Sequence, residues 1–241
     1  MENAAKILME AANSIGISLS KEQKEAFLLY LRILQDQNRI TNIVANSETK
    51  DVIWKHFIDS IAMPPILQGL FAEKRQLSLL DIGTGGGFPG IPLKVLYPTI
   101  SLSLMEATNK KVEFVREVVH KLSLDRVNIA WGRAEEFGQQ VEYRGKYDVV
   151  VARALSELRI LVELTLPFVK EQGIFIAYKG PKYNEELAMA AKAILTLGGE
   201  VQDIIESEST GAKRAFVIIR KIAETPAKYP RRPGIPEKRP L

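Results

Sequence analysis

The sequence predicts an α/β protein: a mostly parallel, seven-stranded sheet wound with helices on both faces, one antiparallel strand near its end, and a helical N-terminal extension. Three observations carry that expectation. From residue 77 onward, short apolar runs alternate with helical segments, a pattern that requires parallel pairing through right-handed crossovers. The first run ends on Asp81 and then places Gly83, Gly85, Gly86 and Gly87 within five residues. Residues 1–70, by contrast, show only helical spacing.

In the N-terminal part, Ile7, Leu8, Ala11, Ala12 and Ile15 recur at helical spacing. Ser20 and Gln23 form a capping box ahead of a second apolar stripe, Phe27, Tyr30, Leu31 and Leu34. A third helix is expected over 48–62, stopped by Pro64-Pro65. Strands follow at 77–82, 100–105, 127–131, 147–152 and 173–178, with helices near 91–97, 108–122, 156–169 and 183–197. Val201 to Ile205 and Ala215 to Lys221 read as a closing hairpin around a glycine-containing turn, which supplies the antiparallel strand. The last 14 residues contain four prolines and are expected to be irregular. The chain thus divides into a helical segment (1–70) packed on the core, a sheet domain (71–225) and a basic, proline-rich tail (226–241).

Composition narrows the function. Of 241 residues, 46% are hydrophobic, enough for a sizeable core, and no apolar run reaches the roughly 18–20 residues of a membrane span. The N-terminus lacks the layout of a signal peptide. With no cysteine there is no disulfide, no thiolate metal site and no cysteine nucleophile; a cytoplasmic monomer without a metal is expected. The net charge of +4 comes from the tail: Lys228, Arg231, Arg232, Lys238 and Arg239 face only Glu237, while the other 227 residues balance at 28 basic and 28 acidic. The body is no basic nucleic-acid clamp, whereas the tail reads as a phosphate-contacting arm stiffened by its prolines.

In a doubly wound sheet, ligands bind beyond the carboxyl ends of the strands. Those positions hold Asp81 with the glycine loop, Glu106, Gly132-Arg133-Ala134-Glu135, Arg153-Ala154, and Lys179-Gly180-Pro181-Lys182. Glycines let a backbone lie against a ligand, and an acid after the second strand can accept both hydroxyls of a ribose. Gly85 to Gly90 also satisfies the G-x-G-x-x-G pattern of NAD(P) or FAD binding. Two features oppose a pyrophosphate: Asp81 adds negative charge, and Phe88-Pro89 stands where a helix should present free N–H groups. An adenosine with a cationic centre fits better, and S-adenosylmethionine (SAM) has both. His56 and Asp59 lie three apart on one helix face and read as a structural pair; with Asn42 they are expected near the substrate side.

The segment Asp81 to Leu93, with its Gly-Phe-Pro-Gly-Ile-Pro extension, resembles the cofactor loop of the ribosomal RNA small-subunit methyltransferase G family, also called glucose-inhibited division protein B. The likeness extends to Trp54 to Ser60, Arg133-Ala134-Glu135, Arg153-Ala154 and Tyr229 to Gly234. It implies a class I SAM-dependent methyltransferase acting on N7 of a guanine in 16S rRNA, with 16S rRNA or the small ribosomal subunit as partner. It further implies that Gly83 and Phe88 touch the cofactor, that Glu106, Ala107 and Thr108 surround its ribose, that Ala134 and Glu135 hold the adenine, and that Arg153 closes the site. Asp81, Gly85 and Gly87 join that set from the loop, while His56, Lys179, Lys182, Arg231, Arg232, Lys238 and Arg239 are the candidates for touching RNA. The residues are compatible with N7: pyrimidine C5 methylation usually needs a cysteine, and amine methylation an Asn/Asp-Pro-Pro-Tyr loop where Arg153-Ala154-Leu155-Ser156 stands. A small-molecule or protein methyltransferase, and an RNA-binding assembly factor, are the competing readings.

Overall fold

The computed structural model describes residues 2–63, 68–70, 76–208 and 213–241. The Pro64-Pro65 stop and the glycine of the hairpin turn lie outside the described residues. Three helical stretches open the chain: α1 (Glu2–Ser14), α2 (Lys21–Asn38) and α3, which comprises Thr49–Val52, a π-helical stretch Ile53–Ile58 and Asp59–Ile61. The capping box forms at the start of α2: Gln23 N–H donates to Ser20 Oγ (3.2 Å) and Ser20 N–H to Gln23 Oε1 (2.9 Å).

The sheet domain then runs β1 (Ser78–Ile82), α4 (Gly90–Leu96), β2 (Ser101–Glu106), α5 (Asn109–Lys121), β3 (Val127–Trp131), α6 (Ala134–Phe137), β4 (Tyr147–Arg153) and α7 (Leu158–Thr165). After a 3₁₀ turn (Leu166–Phe168) come β5 (Val169–Lys179), α8 (Tyr183–Thr196), β6 (Gly199–Ser207) and β7 (Arg214–Lys221). The sheet has the order β3-β2-β1-β4-β5-β7-β6, and only β7 runs against its neighbours. The order reverses between β1 and β4, where this architecture opens a crevice for ligands.

Alternation along each strand divides the core in two. Leu79, Leu102, Leu104 and Val149 point to one face, joined by α4, α5 and the N-terminal helices through Leu8, Phe27, Tyr30, Phe57 and Ile61. Leu80, Met105, Val150 and Phe175 point to the other, beneath α7 and α8. The N-terminal segment is therefore the outer layer of one continuous apolar cluster.

The tail departs from its expected irregularity. It forms a short helix, α9 (Ile235–Lys238), and Tyr229 is buried in the second cluster. Arg144 fastens it by donating to the carbonyls of Tyr229 (2.7 Å) and Pro226 (3.2 Å), and Gln139 donates to Pro230 (2.7 Å). Backbone acceptors met by a guanidinium fork order a segment that proline content alone would leave free.

The two tryptophans sit in different layers, Trp54 against the N-terminal cluster and Trp131 on β3. Single-tryptophan variants W54F and W131F are expected to give coincident urea transitions by fluorescence. Phe57→Ala, fully buried, should lower both midpoints together by the equivalent of about 3–5 kcal/mol. Separate transitions would show that the N-terminal layer folds on its own.

Candidate functional site

β1 delivers the chain into the glycine loop, and the Asp81 carboxylate turns back underneath it. Its Oδ2 accepts from Thr84 Oγ1 (2.6 Å) and Gly90 N–H (2.8 Å), while Oδ1 has no partner among the described residues. Burial pushes its pKa up to about 6, against the pull of those two hydrogen bonds. Asp81 thus shapes the loop and is not on the cleft wall, a correction to its expected ligand contact. Gly87 is a second correction: a Cβ there would meet Ile91 at 2.5 Å and the Tyr30 hydroxyl at 2.6 Å, so its missing side chain admits α2.

Gly83 does face the cleft. Its φ of +69° favours glycine, and a Cβ would strike Leu155 Cδ1 at 2.6 Å. Across from it, both oxygens of the mostly buried Glu106 accept backbone N–H groups, Oε2 from Gly85 (3.0 Å) and Oε1 from Thr108 (2.8 Å). Each carboxylate oxygen retains a lone pair for a further donor. A cleft of about 570 Å³ runs from here past Ala107 and Thr108 to Ala134 and Glu135, and back to Phe88 and Arg153.

Phe88 is the floor at the other end. It stacks on Tyr30 of α2 (centroids 5.4 Å) and on His56 of α3 (4.9 Å), with the Arg153 guanidinium carbon 5.3 Å from its centroid. Tyr30 also donates its hydroxyl to the Gly86 carbonyl. Arg153 ends β4 and is held by the Asp59 carboxylate (2.8 Å) and the Lys55 carbonyl (3.1 Å), with His56 Nδ1 3.4 Å away. Asp59 also takes Arg214 Nε at 2.6 Å. His56 and Asp59 are therefore not a pair with each other; both address Arg153. Burial and the adjacent guanidinium lower the His56 pKa to about 4, so the ring is neutral at pH 7. Ala154, next in the chain, has φ +52°, a left-handed conformation costing a non-glycine residue about 1–2 kcal/mol.

At His56, Arg153 and Ala154 the cleft meets a second one of about 460 Å³, bounded further by Lys55, Asp59, Tyr178, Lys179 and Arg214. Lys179 is buried there, bonded to Glu186 (2.5 Å) and the Ser156 carbonyl (2.8 Å), so its cation is already neutralised. Arg231 is likewise engaged, its fork on Glu163, whereas Lys182, Arg232, Lys238 and Arg239 are exposed. Glu135 lines the cleft, but its Oε1 accepts from Gly234 N–H (3.0 Å).

Several cleft residues were not foreseen, among them two pairs from outside the strand ends. Ile43 and Val44 reach it from the loop after α2, where Asn38 Oδ1 accepts both their N–H groups (2.8 and 3.0 Å). Pro236 and Glu237 reach it from α9. Two apolar residues flanked by Asn42, Asn46 and Ser47 were the available signal for the first pair. For the second there was none. Asn42 itself is exposed and lines neither cleft.

The donor set fits a nucleoside with a free vicinal diol, and an anionic carboxylate at Glu106 opposes a pyrophosphate. The Gly90 N–H, first on α4, is engaged by Asp81 and cannot hold a phosphate. Comparison with known proteins agrees. The family profile described as rRNA small subunit methyltransferase G matches residues 23–217. The chain belongs to this family. It is 41% identical over 238 residues to the ribosomal RNA small subunit methyltransferase G of Acetivibrio thermocellus, covering 98% of this chain and 96% of that one. To the protein of the same name from Pelotomaculum thermopropionicum it is 42% identical, with both chains fully covered. Among solved structures, an O-methyltransferase from Bacillus cereus in complex with SAH aligns with TM-score 0.54 at 18% identity, covering 79% of this chain and 89% of that one. A structure of MtNAS in complex with S-adenosylmethionine aligns with TM-score 0.56 at 16% identity, covering 92% and 89%. These likenesses show that the chain shares its fold with both structures. No described helix is long and apolar enough to cross a membrane.

Two titrating groups beside the glycine loop, Asp81 and His56, have opposite consequences for stability. Asp81, raised from 3.8 to about 6, contributes stability that is complete below pH 4 and lost as pH rises through 6. His56, lowered from 6.5 to about 4, contributes stability present above pH 6.5 and lost as pH falls toward 4. The slopes oppose each other in the wild type, so a variant is needed to separate them. Relative to wild type, D81N should gain on the order of 3 kcal/mol between pH 4 and pH 7.5 in urea unfolding. A pH-independent difference would refute the assignment.

Proposed function

We propose that this protein transfers a methyl group from S-adenosylmethionine to N7 of a guanine in 16S rRNA, acting in the cytoplasm as a monomer on the rRNA or the small ribosomal subunit. The carrying observation is the junction at Arg153. A cleft with a ribose-type carboxylate opens there onto a second cleft rimmed by Lys55 and Arg214. Family membership supports the substrate, because the relatives are named for the RNA of the small subunit.

In this reading Glu106 accepts the two ribose hydroxyls, Gly83 and Gly85 offer backbone beside the cofactor, and Ala134 borders the adenine. When bound, S-adenosylmethionine supplies an electrophilic methyl group on a cationic sulfur. Arg153, fixed by Asp59 and braced on Phe88, presents its remaining N–H donors to the guanine and leaves the N7 lone pair free. N7 carries no proton, so no general base is required, and His56, neutral and stacked, need not titrate. Catalysis is then mainly alignment, a contribution of about 7–11 kcal/mol in well-oriented reactions. Lys182, Arg232, Lys238 and Arg239, all exposed, are proposed to meet phosphates; the ion pairs of Lys179 and Arg231 favour positioning roles for those two.

Tritiated SAM with 16S rRNA from a strain lacking the enzyme is expected to place label on one guanine, cleavable by borohydride and aniline. Label in protein or small molecules, or tight RNA binding without turnover, would overturn the proposal. Glu106→Ala should weaken SAM binding by roughly 10- to 100-fold in calorimetry, as loss of hydrogen bonds to a charged group predicts.

A further inference from the structure

We propose that the C-terminal segment is a wall of the cofactor cleft, and that the ion pair of Arg231 with Glu163 sets the affinity for SAM. The proposal rests on the cofactor reading above. Glu163 is fully buried on α7, amid the apolar residues of the second cluster. A carboxylate in such a place is tolerated only when it is paired and hydrogen-bonded. Among the described residues its hydrogen-bond partners come from one tail residue: Arg231 Nε reaches Oε1 at 2.8 Å, Nη2 reaches Oε2 at 2.6 Å, and the Arg231 N–H donates to Oε1 at 2.9 Å. Three residues further on, the Gly234 N–H bonds Glu135, a residue of the cleft wall.

These two attachments bracket the turn into α9 and carry Pro236 and Glu237 onto the cleft, where Ile160 and Leu164 of α7 also line it. The same helix that anchors the tail therefore faces the ligand. Releasing Arg231 would strip one side from the cleft and leave a buried anion unpaired beside it. The tail's most engaged cation is in this way directed inward, to Glu163, while Arg232, Lys238 and Arg239 face outward.

Calorimetry with S-adenosylhomocysteine and limited trypsin digestion test this on the full chain. Arg231→Gln is expected to weaken S-adenosylhomocysteine binding about ten-fold or more, while the affinity for 16S rRNA and its salt slope stay at wild-type values. Contacts between ligand and tail are reciprocal, so saturating S-adenosylhomocysteine should also slow cleavage of the wild type after Lys238, read by mass spectrometry. That protection decides the matter should R231Q fail to fold. Wild-type affinity in R231Q without ligand protection overturns the proposal, as does a loss of RNA affinity with cofactor affinity unchanged. A wild-type protein that binds no S-adenosylhomocysteine overturns the cofactor reading itself, and the inference with it.

Discussion

How the ring of Phe88 is held governs the rest of the molecule. A run of glycines is entropically costly to order, and the loop after β1 has little side chain of its own to fix it. Phe88 is the exception, and it is gripped from three directions: Tyr30 from α2, His56 from α3 and Arg153 from the end of β4. The Tyr30 hydroxyl adds a bond to the Gly86 carbonyl. The N-terminal helices are thereby the clamp that gives the glycine loop one conformation, and Phe88 is where the clamp closes.

A second regularity concerns buried charge. Asp81 ties the loop to the start of α4, Asp59 ties α3 to β4 and β7, and Glu163 ties α7 to the tail. Lys94 joins them, donating from α4 to the carbonyls of Pro98 and Ile100 before β2. Such groups add little net stability when paired, yet an unpaired one is expensive. Each therefore acts as a registration pin between layers that apolar packing alone would let slide. Asp81, Asp59 and Glu163 hold elements that line the two clefts, so order there is a consequence of satisfying them, while Lys94 fixes the far end of the sheet.

The two clefts differ in chemistry. One is narrow in chemistry, a carboxylate and bare backbone suited to a nucleoside; the other is rimmed by cations and closed on one side by a tyrosine and an ion pair. Arg153 belongs to both. A residue fixed by an acid of the N-terminal layer thus stands at the boundary between the two clefts, which makes the outer helical layer part of their wall.

Much of this was legible in the sequence. Alternation of apolar runs located all seven strands, because a buried strand must be apolar whatever surrounds it, and the capping box marked the start of α2 because it is a local hydrogen-bond pattern. Gly83, Glu106, Ala134 and Arg153 lie on the cleft because strand ends in this topology converge on one rim. Direction and partnership could not be read in the same way. Whether Asp81 points up at a ligand or down at Thr84 depends on a rotation of one residue. Whether Arg231 and Lys179 are free cations depends on Glu163 and Glu186, which are distant or separated in the chain. The sequence by itself determined the strands, the longer helices, their order and the rim. Only the tertiary structure decided which side chains on that rim are spoken for, since pairing across layers is set by three-dimensional packing and leaves no local pattern.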